Sequence, residues 1–316
     1  MAKYVITRLL QGVLLLVVVS FLVFSLVHMI PGDPLRFIYG DETFEKMSEE
    51  QKAELRAEHG FDKSVLTQYL IWAKKALQFD FGRSNMTKRP VMESLANRIP
   101  ITLRITGVAL LMQLLIAIPL GLLAAYKKDS IYDRGLMVFA SVTQSIPNFW
   151  LGMLCILLFG VTLRWLPVNG IGSWKHFILP VFAISLAGIG NTCRIVKNEV
   201  LDVYREKYVQ TAFAKGLENR DVIVKHVLRN ALILVVVVVF SSLPWLIAGS
   251  VIIENIFAIP GMGVIMVSSM TKKDFPVVQG SILIITVAVI LCNLLSDLIT
   301  AALDPRIRIE ISGGGK

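Results

Sequence analysis

Long apolar runs, separated by shorter polar segments, dominate the chain. A helix needs about 20 apolar residues to cross a hydrocarbon core of about 30 Å. Because a backbone inside a bilayer must satisfy its own hydrogen bonds, each such run predicts a helix. The runs are residues 9–30, 101–126, 135–161, 177–193, 231–253 and 277–303. The pattern therefore predicts an all-α integral membrane protein with six transmembrane helices. The first run is too long for a signal peptide and lacks an A-x-A cleavage site, so it predicts an anchor.

The charged residues fix the predicted orientation. With the N-terminus in the cytoplasm, the cytoplasmic loops and tails hold 16 Lys and Arg, and the short outer loops hold four. This asymmetry predicts that both termini are cytoplasmic, including the tail 304–316. The chain is 55% hydrophobic and only 17% charged, with a net charge of +9. Such a composition excludes a soluble globule, a disordered chain and a nucleic-acid binder with one basic face.

Residues 31–100 have the character of a small soluble domain and follow the segment 1–30, which holds the N-terminal tail and first helix. Ser48 and Gln51 predict a capping box for a short helix that Gly60 ends. Apolar residues from 66 to 77 recur at helical spacing, and a third short helix should run up to Pro100. We predict a helical extracytoplasmic insert between helices 1 and 2. It is either a cap that meets an external donor protein or a brace for the first two spans.

The cytoplasmic loop 196–229, within the predicted transmembrane core 101–303, predicts a helical hairpin. A helix starting near Glu199 should end at Gly216 in the left-handed conformation, and Asn219 should cap a second helix. The apolar stripe of the first helix is Val200, Tyr204, Tyr208 and Ala212, with Leu201, Val209 and Phe213 beside it. Five acids interleave with eight bases in this loop, which favours docking into a groove of a soluble partner. The alternative is an amphipathic pair lying on the lipid surface.

The hairpin resembles the cytoplasmic "EAA" loop of bacterial ABC importer permeases. That family's pattern is E-A-A, three residues, Gly, nine residues and I-x-L-P. Ala212, Gly216 and Leu228 match it. Four positions depart: Gln210, Thr211, His226 and Arg229. The departures resemble the peptide/nickel branch, where T-A-x-A-K-G-L and H-x-L-R-N-A are usual. The resemblance implies that these residues, with Lys215 and Leu217, form the loop that couples to an ATPase.

Further motifs of that branch occur in order along nearly the whole chain. They are Pro31-Gly32-Asp33-Pro34, Ile146-Pro147-Asn148-Phe149-Trp150, Trp165-Leu166-Pro167, Ile178-Leu179-Pro180, Glu254-Asn255-Ile256-Phe257, Pro260-Gly261-Met262-Gly263 and Leu303-Asp304-Pro305-Arg306-Ile307-Arg308. The resemblance implies the type I ABC importer permease fold and a multi-pass subunit of the bacterial inner membrane.

The resemblance also implies partners and a cargo. The partners would be a second homologous permease, two cytoplasmic ATPases that bind ATP and Mg, an extracytoplasmic binding protein and membrane lipid, with no nucleic acid. The cargo would be di- or oligopeptides or nickel, free or chelated, and the substrate-binding residues stay unassigned.

This chain contains no phosphate-binding loop or hydrolase motif, so we expect no catalytic residue and no cofactor in it. Its four histidines share no metal-ligand spacing. The alternative function is a self-sufficient secondary transporter or channel. The absence of a clear internal repeat and the scarcity of intramembrane ionisable residues count against it.

Two further features carry open interpretations. Glu254 ends an apolar run, and Pro260, Gly261 and Gly263 should allow a sharp turn, with the glycines free to take positive φ. This segment is either an outer gate or a tight connection to a short helix. Asp297 is the only acid inside the last span. It is either functional or a structural partner of Arg306 or a loop amide.

Overall fold

A computed structural model describes residues 2–218 and 221–303 of the chain. The described residues form helices, and the one β-type pairing among them is an isolated bridge between Arg83 and Pro90. The α-helices, in chain order, are α1 (Ala2–His28), α2 (Pro34–Tyr39), α3 (Asp41–Lys46), α4 (Glu49–His59), α5 (Val65–Ala76), α6 (Val91–Ala96), α7 (Ile99–Tyr126), α8 (Ile131–Ser145), α9 (Asn148–Cys155), α10 (Lys175–Tyr204), α11 (Lys207–Ala214), α12 (Arg229–Ser241), α13 (Leu243–Ile256), α14 (Met262–Thr271) and α15 (Phe275–Leu303). Two π-helical segments occupy Ile156–Thr162 and Val222–Leu228.

Six segments of the described chain are long and apolar enough to cross a membrane, if each bent pair of helices counts as one span. Four are single helices, α1, α7, α10 and α15. The other two are bent: α8 meets the α9 segment at 99°, and α12 meets α13 at 42°. The all-α prediction and the positions of the six spans are confirmed. The prediction of an unbroken helix for the third and fifth spans is wrong.

Prolines explain both breaks. Pro147 is the N-cap of α9, and Ile146 before it is extended, with ψ at 121°. A residue before proline is disfavoured in the helical region, so α8 ends there. Pro244 lies in the first turn of α13, after the turn at Ser242. A proline at this position needs no backbone N–H and starts a new helix easily.

The described chain divides into two compact units. The larger is built mainly on residues 103–259, and the smaller consists of 7–102 with 260–288. In the larger unit α10 is the central helix. It is longer than the predicted span 177–193 and continues to Tyr204.

Close backbone contacts join α10 to α7 and α8. A Cβ atom placed on Gly121 would lie 2.7 Å from the carbonyl oxygen of Cys193. One placed on Gly190 would lie 2.9 Å from the Cα of Ala140. Glycine lets helix backbones approach this closely, which strengthens van der Waals packing inside a membrane. The three helices therefore pack closely against one another.

The smaller unit contains the predicted insert. The capping box of Ser48 and Gln51 is confirmed, and Gly60 ends α4 with φ at +73°. α5 is also confirmed, although of its apolar residues only Tyr69 is buried. The Tyr69 hydroxyl lies 2.9 Å from Oγ of Ser20, which ties α5 to α1. α6 ends at Ala96, earlier than predicted, because α7 already begins at Ile99.

Candidate functional site

The predicted hairpin 196–229 begins with two helices where one was predicted. α10 ends at Tyr204, and Glu206 is extended, with ψ at 142°, before α11 begins. The side-chain amide of Gln210 donates to the carbonyl oxygen of Arg205 at 3.2 Å. This bond satisfies a carbonyl group that the break would otherwise leave open. The single helix predicted from Glu199 to Gly216 is therefore wrong.

The break changes which residues face inward. Val203 and Val209, six positions apart, are both buried, whereas Tyr204 and Tyr208 of the predicted stripe are more than 40% exposed. A continuous helix places residues six apart on different faces, so only a broken helix can bury both. The resulting small core contains Val203, Val209, Ala212, Val222, Val227 and Ala231. The hairpin thus has a hydrophobic core of its own.

Gly216 has the predicted left-handed conformation, with φ at +80°. Its N–H donates to Phe213 at 2.9 Å, and the N–H of Leu217 donates to Ala212 at 3.4 Å. The bond from Leu217 closes a Schellman-type turn at the end of α11. Among the described residues, no atom beyond the chain neighbours lies within 4 Å of a Cβ placed on Gly216, so the requirement for glycine comes from the backbone angle.

The second arm of the hairpin is a π-helix, Val222–Leu228, where an α-helix was predicted. Val222 and Val227 are both fully buried in the hairpin core. A π-helix bonds residue i to i+5, which brings these two side chains to the same face. The predicted cap, Asn219, lies outside the described residues.

The predicted coupling residues divide by exposure. Ala212 is buried, and His226 and Leu228 are half-buried, so these three belong to the hairpin's own packing. The exposed ones are Gln210, Thr211, Lys215, Gly216 and Leu217. The side chain of Arg229 lies outside the described part. The exposed residues lie on α11 and the turn that follows it, which is the surface a partner could contact.

Sequence reasoning missed one interaction that closes the hairpin. The amide nitrogen of Asn230 donates to the Tyr208 hydroxyl and to the His226 carbonyl oxygen, both at 2.9 Å. It therefore joins α11 to the π-helical arm. The Asn230 of the H-x-L-R-N-A motif was the available signal.

The candidate gate differs from its prediction in its turn. Glu254 is fully buried in α13, and the N–H of Ile259 donates to its carbonyl oxygen at 2.8 Å. The left-handed residue is Ala258, with φ at 47°. Gly261 has φ at −94°, and Gly263 lies inside α14, so neither glycine uses the positive φ that it permits.

The connection leads into the short helix α14. Pro260, in the connection from α13 to α14, is half-buried.

Asp297 is half-buried in α15, and Arg306 lies outside the described residues. Within residues 2–218 and 221–303, no group of three or more His, Cys, Asp or Glu side chains could hold a metal ion.

Comparison with protein families gives two matches that together span most of the chain. Residues 117–309 match the family described as "binding-protein-dependent transport system inner membrane component". Residues 1–106 match the N-terminal region of such membrane components. The first match includes the whole hairpin.

Individual relatives agree over nearly their full length. The chain is 38% identical over 310 residues to the glutathione transport system permease protein GsiC of Escherichia coli K12, covering 98% of this chain and 100% of that protein. It is 35% identical over 318 residues, with the same coverage, to a Brucella abortus protein named as a peptide transport system permease. A solved structure of the MetNI methionine ABC transporter, in an inward-facing conformation, shares the fold with a TM-score of 0.54. It is 20% identical, and the match covers 67% of this chain and 97% of that one.

Proposed function

Because the chain belongs to the family of binding-protein-dependent transport system inner membrane components, we propose that it forms one half of a translocation path. It is a non-catalytic permease subunit of an ABC importer, and such a system includes further subunits and a substrate-binding protein. The finer assignments are a second homologous permease, two cytoplasmic ATPases that bind ATP and Mg, and an extracytoplasmic binding protein.

The hairpin 196–229 is the proposed contact with one ATPase. The exposed surface of α11 and its turn, above a buried core of its own, is the observation that carries this assignment. Because the hairpin has a buried core, it can be pushed without unfolding. It continues directly from α10, so it can transmit force into that helix. Closure of the ATPases on ATP would then move the permeases between inward-open and outward-open states.

We propose peptides as the cargo class. The two named relatives are a peptide permease and a glutathione permease, and glutathione is itself a tripeptide. Nickel, free or chelated, is the competing cargo of the branch that the motifs resemble.

The segment of Glu254, Pro260, Gly261 and Gly263 is the proposed outer gate, and both termini are proposed to be cytoplasmic.

The test is reconstitution of the assembled transporter in proteoliposomes, with ATP inside. We expect uptake of labelled dipeptides, tripeptides or glutathione that requires the ATPases and the binding protein. Each component is omitted in turn as a control. Nickel uptake without peptide uptake would overturn the cargo assignment only. Rapid uptake by this chain without any partner would overturn the importer assignment itself.

A further inference from the structure

An apolar groove lies in the larger unit, beside the ends of two membrane helices. Its volume is about 660 Å³, within the range of small-molecule sites. Its walls come from α7, α10, Phe159 of the π-helix and Leu166 of the following loop. The lining is apolar except at one end, where Arg104 and Trp174 stand.

The groove runs along the axes of α7 and α10 from that end. On α7 the lining residues are Arg104, Val108 and Met112, which recur every four positions on one helix face. Eight residues of helix rise about 12 Å. On α10 the lining runs from Trp174, the N-cap, to Phe182, which is again eight residues. Half the hydrocarbon thickness is about 15 Å, so the groove extends from the headgroup level to near the bilayer centre.

The mouth of the groove carries an available positive charge. Arg104 is exposed, and among the described residues none forms an ion pair or hydrogen bond with its guanidinium group. Trp174 is 71% exposed beside it. Tryptophan and arginine are typical of the membrane interface, where one side of a group is apolar and the other meets headgroups.

We infer that this groove binds one phospholipid with an anionic headgroup. The phosphate would meet Arg104 at the interface, and one acyl chain would fill the apolar walls toward Met112 and Phe182. A hydrated peptide is a poor occupant, because the walls offer no hydrogen-bond partner to its backbone. Snorkelling alone explains an arginine near a helix end. The apolar groove that Arg104 lines gives its charge a specific occupant to meet.

The experiment uses the assembled transporter in detergent, supplied with phosphatidylglycerol, and counts retained lipids by native mass spectrometry. Arg104→Gln should retain phosphatidylglycerol about fivefold less well, as expected from losing one interfacial cation. Arg104→Lys should keep most of the retention. Val108→Trp should abolish it by filling the groove, and Val108 is exposed enough for the variant to fold.

Two matched controls separate the groove from general lipid contact. Leu115→Trp changes another exposed residue of α7 outside the lining, and Arg134→Gln removes an exposed arginine elsewhere. Both should behave like the wild type. Equal retention by Arg104→Gln, Val108→Trp and the wild type would overturn the proposal. So would efficient cross-linking of Val108→Cys to the second permease subunit, since the groove would then be a protein interface.

Discussion

Lys197 and Asp133 form a buried ion pair between α10 and the first turn of α8. Nζ of Lys197 lies 2.5 Å from Oδ1 of Asp133, and the two side chains are only 14% and 4% exposed. Oδ2 of Asp133 also accepts the N–H of Asp129 at 3.0 Å. The pair therefore joins the turn before α8 to the part of α10 that leads into the hairpin.

Breaking this pair on one side should cost far more than removing both charges. Lys197→Met leaves a buried carboxylate without its cation, which destabilises a protein by about 3–5 kcal/mol. Thermal unfolding in detergent should show a clear loss for Lys197→Met. The double variant Asp133→Leu with Lys197→Met should recover most of that stability. If the double variant is as unstable as the sum of the two single variants, the pair does not act as a unit.

Gly216 should be replaceable only by residues that accept a left-handed backbone. No described atom beyond the chain neighbours lies within 4 Å of its Cβ position, so the size of a new side chain should not by itself destabilise the turn. Gly216→Val resists positive φ, and we expect normal membrane insertion but loss of ATP-driven transport. Gly216→Asn is the matched control, because asparagine adopts this conformation readily and should keep most activity. Normal uptake by Gly216→Val would contradict the proposed coupling role of this turn.

The outer insert should lose stability in acid through Asp33. Burial raises the pKa of this carboxyl, but the ion pair with Arg56 and the hydrogen bond from Leu35 outweigh burial, so its pKa is lowered overall. Nε of Arg56 donates to Oδ2 of Asp33 at 3.1 Å. Because the pKa of Asp33 is lower in the folded than in the unfolded protein, its ionised form stabilises the fold at pH values above the unfolded pKa of about 3.9. This stabilisation is lost as the pH falls through the folded-state pKa.

The comparison is between wild type and Arg56→Gln, followed by limited proteolysis of the insert across pH. Arg56 is partly exposed, so we expect the variant to be only slightly less stable than the wild type at pH 7. The difference should shrink below about pH 4. Glu49→Gln, which removes the exposed partner of a different ion pair in α4, should show no comparable loss. A constant gap between wild type and Arg56→Gln down to pH 2 would exclude Asp33 as the cause.

Asp274 should hold the loop before α6 in place. Its carboxylate accepts the Ser84 hydroxyl at 2.5 Å and the N–H of Asn85 at 2.9 Å, and it is 3% exposed. Asp274→Ala leaves the buried Ser84 hydroxyl without this acceptor, at about 1–3 kcal/mol, and removes the acceptor of the half-buried Asn85 N–H. Hydrogen exchange at the amide of Asn85 should become much faster in this variant. An unchanged exchange rate there would show that the loop is held by other contacts.

Ala258 should be improved by glycine. It adopts φ of 47° at the end of α13, a conformation that costs an L-residue about 1 kcal/mol or more. Ala258→Gly should therefore raise the thermal unfolding temperature slightly without changing the turn. Ala248→Gly, an exposed position inside α13, is the control and should lower stability. A lower unfolding temperature for Ala258→Gly would mean that chain flexibility outweighs the relief of strain.

The sequence predicted the spans well where the apolar run was uniform. α7 and α15 begin within two residues of their predicted starts, because hydrophobic length alone sets them. The break at Pro147 was present in the sequence but was hidden within a continuous apolar stretch. The break between Tyr204 and Lys207 involves neither glycine nor proline, and it follows from the packing of Val203 and Val209 into one core.

Turn chemistry was predictable at one place and not at the other. Gly216 follows an amphipathic helix, where a left-handed glycine is common, and the prediction was confirmed. At the end of α13 the same conformation falls on Ala258, which gives no sequence signal, while Gly261 and Gly263 adopt ordinary angles. A glycine near the end of a helix therefore indicates roughly where a turn lies, but not which residue adopts the left-handed conformation.

α10 is 30 residues long, which corresponds to a rod of about 45 Å. Pro180, in its second turn, removes one helical hydrogen bond, so the rod is softest at the end away from the hairpin. A tilt of about 5° around that softer end would swing the hairpin end by about 4 Å over a rod of this length. A small change in the tilt of α10 is thus geometrically equivalent to a displacement of the hairpin by a few ångströms.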